Sequence, residues 1–118
     1  MDETEKEVRA VSLTEWTKVA TTDELPDGEI MGVEVGDLKI CLARTGGKVY
    51  AINDICTHFA TRLSTGELFE DELAVQCPLH DSKFSLLDGT PDEVPADDPV
   101  QVYAARLDGD NIVVGPAT

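Results

Sequence analysis

The chain has 118 residues and a mass of 12.8 kDa, the size of a single domain. Hydrophobic residues make up 42% and charged residues 28%, a composition that predicts a folded, water-soluble unit and excludes disorder. Twenty-four acids against nine bases give a net charge of -15, which repels nucleic acid and anionic membrane surfaces and excludes both as partners.

In chain order, residues 1–9 offer no apolar face and read as a flexible acidic tail. The opening Met1-Asp2-Glu3 lacks the apolar core of a signal peptide. No apolar stretch reaches the roughly 18 residues of a membrane helix. Three cysteines, an odd number, fit a reducing compartment, so a cytoplasmic protein with no membrane span is expected. Trp16 reads as a core or edge packing residue. Thr22-Asp23-Glu24-Leu25 starts a single turn that Pro26 ends.

Val33-Glu34-Val35 and Leu38-Lys39-Ile40-Cys41-Leu42 alternate at period two around Gly36-Asp37, the pattern of a tight hairpin. Thr45-Gly46-Gly47-Lys48 makes the next turn into Val49-Tyr50-Ala51-Ile52, so the three runs predict an antiparallel meander. Val100 to Ala105 and Ile112-Val113-Val114, joined by Asp108-Gly109-Asp110-Asn111, predict a closing hairpin. The fold class is all-β. Between the two blocks, residues 53–99 hold few apolar runs and Pro78, Pro91, Pro95 and Pro99. So irregular a stretch in a compact domain needs something to order it.

The chain has two histidines, and each follows closely after a cysteine: Cys56-Thr57-His58 and Cys77-Pro78-Leu79-His80, with 18 residues between His58 and Cys77. Two thiolates and two imidazoles are a complete four-ligand metal set. Cys₂His₂ is a legitimate zinc set, and a zinc-stabilised binding module is one reading. In common zinc modules, however, one knuckle supplies both cysteines and the other both histidines. Here each loop supplies one of each, which suits a [2Fe-2S] cluster with both cysteines on one iron and both histidines on the other.

These two motifs, followed by Phe84 and Asp88-Gly89-Thr90-Pro91, resemble a Rieske-type iron–sulfur protein. More narrowly, the chain is similar to the small ferredoxins of bacterial ring-hydroxylating dioxygenase systems. The resemblance runs from Trp16 to Val114 and includes Leu25-Pro26-Asp27-Gly28 and Gly47 to Ile52. It implies that Cys56 and Cys77 bind one iron and His58 and His80 the other. It also implies an antiparallel β-sandwich base, residues 10–52 and 100–118, with a small cluster-binding subdomain at about 53–99, the whole a single Rieske domain over 10–118. Pro95 to Pro99 would then form a loop near the cluster, and the histidine edge would lie beside Phe59, Leu79 and Pro95.

High-potential relatives carry two further cysteines, which would fall at Thr61 and Leu79, so their disulfide is not expected here. Cys41 reads as an ordinary packed thiol. Ser82 stands where that class has a hydroxyl bonded to cluster sulfur, whereas Phe84 replaces its tyrosine. Asp81 would oppose reduction by its charge. The expected potential is in the low part of the Rieske range, roughly -150 mV, raised somewhat if Ser82 bonds.

The resemblance implies a one-electron carrier and not an enzyme. It would take electrons from an NADH-dependent flavoprotein reductase, pass them to a terminal ring-hydroxylating oxygenase, bind both transiently and remain monomeric. A small Rieske subunit of the nitrite reductase type is the alternative. Both histidines are used, so the mononuclear iron site of an oxygenase cannot be built. No G-x-G-x-x-G follows a strand, and neither Cys56 nor Cys77 has an orienting third group for nucleophilic catalysis. Glu67, Glu70, Asp71, Glu72 and Asp81 are expected as an acidic rim that steers basic partners.

Overall fold

A computed structural model describes residues 16–56, 61–78, 82–92 and 99–117, so the acidic tail and the loop at 93–98 lie outside the described residues. The strands are β1 (Thr17–Thr21), β2 (Glu29–Val35), β3 (Leu38–Thr45), β4 (Lys48–Asn53), β5 (Glu67–Phe69), β6 (Ala74–Gln76), β7 (Lys83–Ser85), β8 (Val102–Asp108) and β9 (Asn111–Ala117). Six form the base sheet in the order β1-β9-β8-β4-β3-β2, and β5-β6-β7 form a second, three-stranded sheet. All pairings are antiparallel. The class is all-β, as expected. The base sheet coils until its edge strands β1 and β2 touch, so one continuous sheet encloses the base core.

The predicted meander is β2-β3-β4. Its second turn has Gly46 and Gly47 at φ 62° and 78°, the pair of positive values a two-residue hairpin turn requires. Along β3, Leu38, Ile40 and Leu42 point into the base core with Leu25, Ala51, Ile112 and Val114. Cys41 and Ala43 point the other way, into a second apolar core with Ile52, Leu63, Val75, Phe84 and Leu86. A strand covered on both faces reads as a near-continuous apolar run, which is what Ile40 to Ala43 show.

Residues 22–25 form a turn, with the Glu24 amide donating to the Thr21 carbonyl at 3.0 Å. Trp16 packs at the sheet edge, 41% exposed, with the Arg106 guanidinium 4.1 Å from its ring centroid. The closing hairpin is β8-β9, and β1 adds to it along β9.

The middle segment is more regular than its sequence suggests. It holds β5, β6 and β7 and two 3₁₀ turns, Leu63–Thr65 and Glu70–Glu72. Three-residue strands are too short to show a period, and a ladder between them compensates. This subdomain leaves the base from β4 and returns to β8, which are paired neighbours, and the Asn53 amide donates to the Gln101 carbonyl at 2.8 Å. Among the described residues, no helix is long and apolar enough to cross a membrane.

Candidate metal centre

Two loops of the subdomain close in the same way. The amide of Cys56 donates to the Thr61 carbonyl at 2.9 Å, and the amide of Cys77 to the Ser82 carbonyl at 3.0 Å. In each case the bond spans five residues, so each cysteine forms the foot of a small loop. His58 falls inside the first loop and His80 inside the second, and both lie outside the described residues, as do Phe59, Leu79, Asp81 and Pro95.

Cys56 and Cys77 are 3% and 2% exposed and belong to one apolar core with Leu63, Val75, Phe84 and Leu86. The topology explains the meeting: Cys77 directly follows β6, whose neighbour β7 carries Phe84 opposite Val75. Ser82 is fully buried between the second loop and β7. None of the three cysteines is in a disulfide.

Cys41 shares this core from the far side, on β3. Burial, and then the neighbouring Asp54 carboxylate, push its thiol far above the ordinary value of 9.0. A thiol held protonated is a poor metal ligand, which agrees with its reading as a packing residue.

Each loop is pinned from outside. The second is held through Lys83, whose amide donates to the Asp92 carboxylate at 2.8 Å. The Asp92 amide returns to the Lys83 carbonyl at 2.9 Å. The Lys83 ammonium reaches both oxygens of Glu72, at 3.0 and 3.1 Å, and lies 4.2 Å above the Phe69 ring.

Beneath the first loop is a polar network that the sequence reading missed. The fully buried Asp54 carboxylate accepts from Arg62 Nε at 2.7 Å, from the Ser64 amide at 2.6 Å and from Ser64 Oγ at 2.8 Å. That hydrogen bond, more than any other influence, raises the Arg62 pKa. A usable signal was present, since Asp54 interrupts an apolar stretch and Arg62 is one of only three bases after residue 50.

The expected acidic rim divides. Glu67 pairs with Gln76, next to Cys77, and so lies at the loop end of the subdomain. The Glu70–Glu72 turn caps the opposite end of the β5-β6 hairpin, where Glu70 accepts from Thr45 and Glu72 holds Lys83. Those two carboxylates serve the joint and the second sheet, and do not rim the loops.

The described residues fit a metal group with soft sulfur ligands. Two cysteines from two similarly closed loops share one buried apolar core, and neither is committed to a disulfide. Among the described residues no three ligating side chains converge, the histidines lying outside them.

Comparison with known proteins accords with this arrangement. The Rieske [2Fe-2S] domain family matches residues 15–104. The chain is 37% identical over 91 residues to the 3-phenylpropionate/cinnamic acid dioxygenase ferredoxin subunit of Escherichia coli K12, covering 77% of this chain and 84% of that protein. The ferredoxin of carbazole 1,9a-dioxygenase from Nocardioides aromaticivorans IC177 superposes with a TM-score of 0.82 at 33% identity, covering 87% of this chain and 99% of that one. A ferredoxin solved in complex with the oxygenase of carbazole 1,9a-dioxygenase matches with a TM-score of 0.76 at 31% identity, over 85% of this chain and 92% of that one.

Proposed function

The chain belongs to the Rieske [2Fe-2S] family, and from that premise we propose that Cys56, His58, Cys77 and His80 hold its one cluster. The protein is the ferredoxin component of a ring-hydroxylating dioxygenase system, an electron carrier and not itself a catalyst. When bound, such a cluster supplies a one-electron couple with no open coordination position.

What the chain's own residues contribute is a dry, fixed seat. Leu63, Val75, Phe84 and Leu86 exclude water beneath the two cysteines, and the two loop-closing amide bonds set where each cysteine stands. Burial strengthens any donor aimed at the sulfur atoms, so Ser82 is placed to tune the potential. The single observation that carries the ligand assignment is the pair of matched loops whose cysteine feet share one apolar core.

Its partners on this reading are a flavoprotein reductase upstream and a terminal oxygenase downstream. The complex of a related ferredoxin with its oxygenase supports the second. Both contacts are transient, the carrier is a monomer in the cytoplasm, and the -15 net charge steers it toward basic partner surfaces.

The test is chemical and spectroscopic. Purified protein should contain two irons and two acid-labile sulfides per chain, and a rhombic EPR signal of the histidine-ligated type on reduction. Cys56→Ser and His80→Cys should each lose or alter that signal. Zinc with EPR silence would refute the assignment.

A further inference from the structure

Asp54 before Cys56 and Arg62 after Thr61 flank the first loop in the sequence, and the two are bonded to each other. Three donors converge on the Asp54 carboxylate, and all three come from the far side of the loop: Arg62 Nε, the Ser64 amide and Ser64 Oγ, at 2.7, 2.6 and 2.8 Å. The Asp54 backbone is fixed as well. Its amide donates to the Lys39 carbonyl on β3 at 2.8 Å, and its carbonyl accepts from the Leu63 amide at 2.6 Å.

The base crowds this network from outside. A Cβ on Gly32 of β2 would lie 2.7 Å from Ser64 Oγ, 3.0 Å from Arg62 Nη2 and 3.1 Å from Asp54 Oδ2. Arg62 Nη1 also stands 3.5 Å from Glu34 on the same strand. With the Arg62 side chain 36% exposed, its pairing with the buried Asp54 contributes little net stability by itself. What it supplies here is direction, since a carboxylate with three donors has one low-energy placement.

We propose that Asp54 is a positioning residue of the metal centre, tying Arg62 and Ser64 to the chain just before Cys56 so that Cys56 would meet the iron–sulfur cluster in one geometry. The inference rests on the ligand reading above, yet Asp54, Arg62, Ser64 and Gly32 are themselves outside the ligand set.

The experiment uses the cluster-loaded protein with Asp54→Asn, with Gly32→Ala, and with Thr45→Val as a control that loosens the other end of the subdomain. Gly32→Ala keeps every residue of the network but pushes Ser64 Oγ from its place, so it carries the test if Asp54→Asn fails to fold. Two quantities are read: the rate of visible bleaching under excess chelator, and the g values of the reduced EPR signal. The expected result is bleaching at least tenfold faster than wild type, faster than in Thr45→Val, with displaced g values. Wild-type bleaching, acceleration no greater than in the control, or unmoved g values would each overturn the proposal. Wild-type protein lacking iron and sulfide would instead overturn the cofactor reading itself, before any variant is made.

Discussion

The hydroxyl of Thr45 donates to the carboxylate of Glu70 across 2.5 Å, tying the end of β3 to the turn that closes the β5-β6 hairpin. Gly28 lies against the same carboxylate, where a Cβ would stand 3.2 Å from Glu70 Oε2 and oblige it to shift slightly. The subdomain therefore sits on the base at this end through one charged acceptor. A hydrogen bond to a charged group contributes about 1.5–3 kcal/mol. Thr45→Val should lower the melting temperature by several degrees while leaving iron content unchanged, as calorimetry with metal analysis would check. A variant that melts like wild type would mean the joint is held elsewhere.

Gly66 stands at a second close approach. A Cβ there would lie 1.9 Å from the carbonyl oxygen of Gln76, the residue before Cys77. Backbone cannot yield as a flexible side chain can, so Gly66→Ala must part β5 from β6 or shift the Cys77 loop. The expected cost is about 2–4 kcal/mol, together with partial loss of iron. Chemical denaturation and metal analysis on the same preparation would show both, or neither.

Cys41 gives a pH prediction whose sign is fixed by burial. Its folded-state thiol is pushed far above the ordinary 9.0 by desolvation first and by Asp54 second. Below 9 both states hold the proton and stability is independent of this group. Above 9 the unfolded chain releases a proton that the native state keeps, so stability falls with rising pH, by up to about 1.4 kcal/mol per unit. Denaturation between pH 8 and 10.5 should show that added slope, and Cys41→Ala should abolish it while retaining the iron. An identical slope in both proteins would refute the attribution.

Ser82 gives the potential. A hydrogen bond to cluster sulfur worth about 1 kcal/mol corresponds to on the order of 40 mV for one electron. Ser82→Ala should lower the midpoint by that order in a redox titration followed by EPR, because the reduced state loses a donor. An unchanged midpoint would mean that the buried hydroxyl bonds only within the protein.

Most of the base was readable because its strands are long enough to show a period and its turns carry glycine. The alternation from Val33 to Ile52 and the Gly46-Gly47 pair locate β2 to β4 and their turns, although β2 begins four residues earlier, at Glu29, and β3 runs three further, to Thr45. β1 escaped because Thr17 to Thr21 shows no clear alternation, and its placement comes from pairing with β9, distant in sequence. The second sheet escaped for a related reason: in three-residue strands, order comes from the ladder and from tertiary pins such as Lys83 with Asp92 and Glu72. Spacing alone suggested the candidate ligand set, of which Cys56 and Cys77 fall among the described residues. Asp54 could not be found in this way, because a lone acid beside an apolar run shows its purpose only when the fold brings Arg62 and Ser64 to it.

The adjacency of β4 and β8 has a further consequence, for how such a domain is assembled and rebuilt. Chain departure and return stand side by side, with Ala51 opposite Tyr103 and Ile52 opposite Val102. The whole segment between them is thus an insertion into a single hairpin. A short turn from Asn53 to Gln101 would leave the six-stranded sheet as it stands, and a foreign segment with similarly spaced ends could be spliced at the same seam. Any replacement segment would have to cover Cys41, Ala43 and Ile52 of the base as the native one does.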